Sequence, residues 1–166
     1  MADMLELLHI VEGVLPHELN REKIWKSLLV DYHPPTVERL WFDNADFRAY
    51  LHRIHPCGPG EALSHPHPWP SAMKIISGHY EMCVGYGKGL EKPPVAATLI
   101  LGPGSEYEMT DPDAWHYVRP LETPSLSLMV TGKPWERPAP KSDKKLGPLE
   151  PEAVQEILQA FRAYYL

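Results

Sequence analysis

The residues with the clearest chemical potential are His65 and His67, which flank Pro66. On an extended segment, side chains two apart share a face. Two imidazoles placed that way can chelate one cation, and imidazole suits zinc, iron, copper and nickel alike. Such a cation needs further ligands from another segment and an open position for substrate. His116, in DAWHYV, is the best third ligand, because it follows the turn-forming TDPD and opens a strand-like run well downstream.

The chain carries nine histidines, so the remaining ones must be weighed against these three. His52 and His55 precede the pair on one strand and, at odd spacing, face opposite ways, so one of them can contact the site. His9, His17 and His33 lie in or beside helical segments and read as surface. His79 alternates with Glu81, and Glu106 with Glu108. An inward member of either pair would be a fourth ligand or a general base, whereas an outward pair is solvated strand surface. Trp69, Trp115 and Met129 neighbour the three ligands. They fit either the apolar lining of a small-molecule pocket or ordinary core.

These residues need a scaffold of strands. Met4, Leu7, Leu8, Val11 and Leu15 recur at helical spacing over 3–15, and Leu19, Ile24, Trp25, Leu28 and Leu29 repeat the pattern over 18–30. Two N-terminal helices are expected, ended by His33-Pro34-Pro35. From Val37 the texture changes to short runs bounded by Gly, Pro and Asp. VERLWFDN, FRAYLHRIHP, EALSHPH, SAMKIISG, HYEMCVGYG, AATLILGPG, SEYEMT, WHYVRPL and SLSLMVTG read as strands. Many short strands with regular turns mean a sandwich or a barrel. Residues 132–150 read as a Pro- and Lys-rich surface tail, and a last helix starts at Pro151. The chain is expected to be one mainly β domain over 1–166. It divides into a helical segment (1–35), a barrel (36–135), and a tail with a C-terminal helix (136–166).

Composition narrows the partners. Net charge is −6 with no basic run, which excludes an electrostatic nucleic-acid footprint. No run of 18 or more apolar residues is present, so no membrane span is expected. The acidic start, MADMLELLHIVEG, lacks the basic n-region of a secretory signal, and a cytoplasmic location is expected. Cys57 and Cys83 read as reduced thiols rather than a disulfide framework. Phosphate loops, nucleophile elbows and dinucleotide fingerprints are absent from the sequence, which disfavours phosphoryl transfer and serine hydrolysis.

The whole-domain pattern resembles the cupin superfamily. His65 and His67 match the HxH pair of its first motif and Gly78 the terminal glycine, while Ser71 falls in the glutamate position. His116 matches the histidine of the second motif, with Asp113 and Pro120 in place of its glycine and asparagine. The resemblance implies a double-stranded β-helix, or jelly-roll, barrel. Within cupins, HPHPWPSAMKIISGHYE and HYVRPLETPSLSLMVTGKPW are similar to segments of thiol dioxygenases of the cysteine dioxygenase type. That likeness covers 37–135 and implies a mononuclear, three-histidine, non-haem Fe(II) site. Zn, Ni, Mn and Cu remain alternatives. It further implies that Arg39 binds a substrate carboxylate, as a guanidinium fork suits. The family's Ser-His-Tyr relay reads Ser127, Met129 and Thr131 here, and its first-motif cysteine reads Ala72. Three functions follow as expectations: an Fe(II) dioxygenase for a small carboxylate- or thiol-bearing molecule, a metal-dependent isomerase or lyase, or a non-enzymatic small-molecule-binding cupin. A homodimer formed through edge strands is expected by analogy with the architecture.

Overall fold

A computed structural model describes residues 3–89, 91–136 and 143–166. Helix α1 (Met4–Leu19) begins where the Asp3 carboxylate accepts the amides of Leu5 and Glu6 at 3.0 and 3.1 Å. It buries Met4, Leu8, Val11, Leu15 and Leu19 along one stripe and runs past Pro16, beyond its expected end.

The second N-terminal helix does not exist. Glu22–Ile24 form one 3-10 turn, and Lys26–Val30 are strand β1. The adjacent apolar residues Leu28, Leu29 and Val30 explain the difference. In a strand, Leu28 reaches a cavity on one face while Leu29 packs with the helices on the other. A contiguous apolar run suits a strand buried on both faces as well as it suits a helix, and periodicity alone does not separate them.

Strands β2 (Val37–Asp43), β3 (Arg48–Ile54), β4 (His65–Pro66), β5 (Ser71–Ser77), β6 (Tyr80–Tyr86), β7 (Val95–Leu101), β8 (Glu106–Met109), β9 (Ala114–Pro120) and β10 (Ser125–Thr131) follow, then helix α2 (Pro151–Tyr165). They form an antiparallel six-stranded sheet, β1-β2-β3-β10-β5-β8, facing a four-stranded one, β4-β9-β6-β7. The nine expected strands are all present. EALSHPH, however, is reduced to the two residues of β4.

The larger sheet alternates cleanly. Leu40, Leu51, Ala72, Leu128 and Val130 face outward and pack under α1 and α2 with Leu8, Leu15, Ile157 and Phe161. Inside, Ile54, Ile75, Tyr80, Met82 and Val118 form one cluster, and Tyr50, Met73 and Met129 another. Gly78 turns β5 into β6 at φ +77°, where a Cβ would lie 2.9 Å from the Pro124 carbonyl oxygen. Only glycine fits there.

Part of the expected surface tail also docks. Residues 137–142 fall outside the described residues. Beyond them, Leu149 is buried, and the Gly147 carbonyl accepts the Leu29 amide at 2.9 Å, covering the outer edge of β1. No helix among the described residues is long and apolar enough to cross a membrane.

Candidate metal centre

The short strand β4 pairs with β9 so that His65 lies directly opposite His116. Alternation then puts His67 on the same face as His65, and the two rings stack at 5.3 Å. The ring of His116 stands edge-on to both, at 5.0 and 4.6 Å. One ligand nitrogen from each of the three lies within 4.8 Å of the others, and Nε2 of His67 and His116 are 2.9 Å apart.

Two of the far ring nitrogens are hydrogen-bonded, and one of these bonds fixes a tautomer. Nδ1 of His65 donates to the Leu63 carbonyl at 3.0 Å, which leaves its Nε2 a bare lone pair. Nδ1 of His67 bonds the Ser71 hydroxyl at 2.8 Å. Ser71, at the position where the sequence resemblance expects a glutamate, is therefore a partner that orients His67. Nδ1 of His116 is buried without a partner among the described residues. Burial pushes the imidazoles of His67 and His116 well below their ordinary value and that of His65 below it, so the rings are neutral at neutral pH. Three neutral imidazoles with two nitrogens converging at 2.9 Å fit a divalent cation, and His65 and His67 already have at their other ring nitrogen the orienting partner that metal-bound histidines ordinarily carry.

The histidines floor a cavity of about 350 Å³, within the range for a small ligand. Trp69, Met73, Met129 and Val118 supply apolar wall. Leu28, Val30 and Tyr32 close one side, with Leu146 of the docked tail. Arg39 supplies the charge. Its Nε donates to Nε2 of His52 at 3.0 Å, and its guanidinium lies 5.1 Å from the Tyr50 ring centre. No carboxylate pairs with Arg39 among the described residues; its charged neighbour is another cation, Arg48. Burial and Arg39 hold His52 well below its ordinary value, so it stays a neutral acceptor.

Of the other residues singled out in the sequence, His52 faces the cavity while His55 points away to Glu38, as their odd spacing predicts. Ser127 does not line the cavity, although it stands on the inward face of β10 between His52 and Ile75, its hydroxyl buried without a described partner. Trp115 is not lining, because it alternates with His116 and points out, donating to the Gly87 carbonyl at 3.1 Å. Glu81 binds Tyr117 and Arg119 on the outer face. Glu106 and Glu108 serve α1, through His9 and the Leu5 amide. His9, Glu12 and Glu106 also cluster, but Lys74 already sits among them, 2.9 Å from Glu12 and 3.4 Å from Glu106. Cys57 and Cys83 are free thiols. Tyr32, Leu28 and Leu146 were missed, since Leu28 signals its inward face only once 26–30 is read as a strand.

No family model and no curated protein matches the sequence. Solved structures do match in fold. Hydroxypropylphosphonic acid epoxidase from S. wedmorenis superposes with a TM-score of 0.53 at 14% identity, over 68% of this chain and 56% of that one. Fe(II) HppE gives 0.51 at 13% identity, over 64% and 55%. An RmlC-like cupin from Shewanella frigidimarina gives 0.45 at 14%, over 60% and 78%. The chain thus spans little more than half the length of the epoxidase. At these identities the likeness is one of fold alone, carried by the two epoxidase structures, whose TM-scores exceed 0.5.

Proposed function

We propose that this protein is a metal-dependent cupin enzyme, a mononuclear non-haem Fe(II) dioxygenase acting on a small carboxylate- or thiol-bearing molecule. The observation that carries this reading is the convergence of three neutral imidazoles on the floor of a cavity whose one guanidinium, half-buried in the wall, has no acidic partner among the described residues. His65, His67 and His116 would hold the ion. Bound there, Fe(II) supplies the redox chemistry that joins dioxygen to an organic substrate. An all-imidazole set is also open to Zn, Ni, Mn or Cu. Support for iron comes from the likeness to three-histidine thiol dioxygenases and from a fold neighbour, HppE, described as an Fe(II) protein.

The chain's own residues do the rest. Arg39 binds an anionic substrate group through the guanidinium nitrogens that His52 does not occupy, in a fork suited to a carboxylate. Trp69, Met73, Met129 and Val118 exclude water around the bound molecule. Ser71 and the Leu63 carbonyl keep two imidazoles turned inward. The thiol dioxygenase relay is reduced to Ser127, which lies off the cavity, so substrates without a thiol are included.

Reconstitution with Fe(II), followed by oxygen uptake against a panel of thiols and small acids, tests the proposal. Uptake with a carboxylate-bearing member, lost in Arg39→Ala, is the expected result. Bound iron with no uptake from any member would instead favour a metal-dependent isomerase or lyase, for which the missing relay phenol and imidazole are no handicap. Absence of bound metal after reconstitution would leave a small-molecule-binding cupin.

A further inference from the structure

The cavity above the three histidines is one-sided in its charge. Among the described residues that line it, Arg39 is the one permanent cation, and there is no Asp or Glu. Ser, Thr, Asn and Gln are equally absent from the lining, which leaves the Tyr32 phenol as its one hydroxyl. The acids nearest in sequence are engaged elsewhere: Asp31 pairs with Lys144 at 2.8 Å, and Glu38 turns outward to Arg53 and His55. No residue outside the described set is an Asp or Glu, so none can supply the missing carboxylate.

Strand register keeps Arg39 uncompensated. Directly across from it stand Leu28 on β1 and His52 on β3, and His52 takes only the Nε, at 3.0 Å. A half-buried guanidinium with its fork unengaged suits an anion. The rest of the wall is hydrocarbon, with Leu28, Val30, Val37, Ile54, Val118 and Leu146 around the space. At about 350 Å³ that space is at the small end of ligand cavities.

We infer that the substrate is a monocarboxylic acid with a hydrocarbon body, one ring or a short branched chain, and with neither an amino group nor several hydroxyls. This rests on the reading of Arg39 as the anchor of the substrate's anion and narrows the carboxylate-bearing class; it needs neither iron nor oxygen. An α-amino acid would carry an ammonium into a space with no anion to meet it, its own carboxylate being held on Arg39. A buried charge without a partner is strongly disfavoured. A polyol would give up water at every hydroxyl and find one phenol in return. A dianion such as a phosphate ester would leave its second charge unmatched. A hydrocarbon body gains from the same transfer.

Isothermal titration calorimetry at pH 7 on the full chain, metal-free and loaded with redox-inert Zn(II), tests this with matched ligands. The sets are 3-phenylpropionate, phenylalanine and 3-phenylpropanamide, then 4-methylpentanoate and leucine, with gluconate as the hydroxyl-rich acid. At least one of the two simple acids should bind with Kd below about 1 mM. Its amino acid counterpart and gluconate should bind roughly a hundredfold more weakly, and the amide roughly tenfold. Arg39→Ala should weaken the acid tenfold or more and leave the amide unchanged. Leu28→Glu, which sets a carboxylate across from Arg39, should abolish acid binding with circular dichroism unchanged. An amino acid binding within tenfold of its amine-free counterpart overturns the inference, as does an acid that binds no better than its amide, or failure of both acids to bind. Oxygen uptake separates this from the dioxygenase proposal. Acids that bind the Fe(II) chain without uptake remove the dioxygenase and leave the inference standing, whereas uptake with amino acids alone does the reverse.

Discussion

Ser71 places a hydroxyl where the cupin pattern has a carboxylate, and that exchange defines the site. A glutamate would be a fourth, anionic ligand, whereas the serine binds His67 from behind and leaves the centre neutral. Orienting partners of metal ligands are ordinarily worth about 10–100-fold in affinity. Ser71→Ala should therefore weaken metal binding by about that factor, measured by competition with a chelator, while His67→Ala should abolish binding with the fold intact by circular dichroism. Unchanged metal content in His67→Ala would refute the ligand assignment. At the cavity wall, Arg39→Ala should raise KM for an anionic substrate by roughly 10–100-fold, the loss of a charge-assisted pair worth about 1.5–3 kcal/mol. Arg39→Lys should recover part of this at most, since an ammonium has no fork. The placement of these residues was partly legible. The HxH spacing announced His65 and His67 because alternation on an extended segment is a strict rule. Arg39 was legible only through a resemblance, because nothing in the sequence tells an inward strand arginine from an outward one.

Among the elements, the pairing of β2 with β3 does two jobs on two faces. Inward, Arg39 stands opposite His52; outward, Glu38 stands opposite Arg53. Glu38 accepts from Arg53 and lies 2.6 Å from Nε2 of His55, and Arg53 continues to Glu156 of α2 at 2.8 Å. The hydrogen bond from Arg53 holds the Glu38 carboxyl below its ordinary value of 4.5, against the opposing effect of burial. Its folded-state value is thus the lower one. The stability it contributes is present above pH 4.5 and is lost as pH falls through the depressed value. Glu38→Gln should cost about 1–3 kcal/mol at neutral pH and flatten the acid limb of a stability-against-pH curve; an unaltered limb would show that other carboxylates carry it. The misassigned element, 26–30, shows what sequence periodicity leaves out. Leu28 and Leu29 fit a helical stripe, yet the decisive interaction is a ladder with residues 37–41, whose partner is not visible in a local window. The shortness of β4 was equally hidden, because Pro66 cannot donate to a ladder and the segment is shaped by loops on both sides.

For the whole molecule, the nine strands beyond Val37, the final helix and the mainly β class were legible because turn residues punctuate the chain at regular intervals. The docked Gly147–Leu149 segment was not, since Pro- and Lys-rich composition describes its neighbours and not the single leucine that is buried. The ladder between β4 and β9 has a wider consequence. Two rungs fasten the rim that carries His65 to the strand that carries His116, and the residues so joined are far apart in sequence. A cation seated on both would act as a rivet between β4 and β9. Because the unfolded chain offers no such convergence, binding should add to folding stability by mass action, about 2.7 kcal/mol at a hundredfold excess over Kd. The melting temperature should climb with added metal in the parent chain and stay level in His67→Ala. Amide exchange over residues 63–68 should slow on loading, while α1, far from the rivet, exchanges as before.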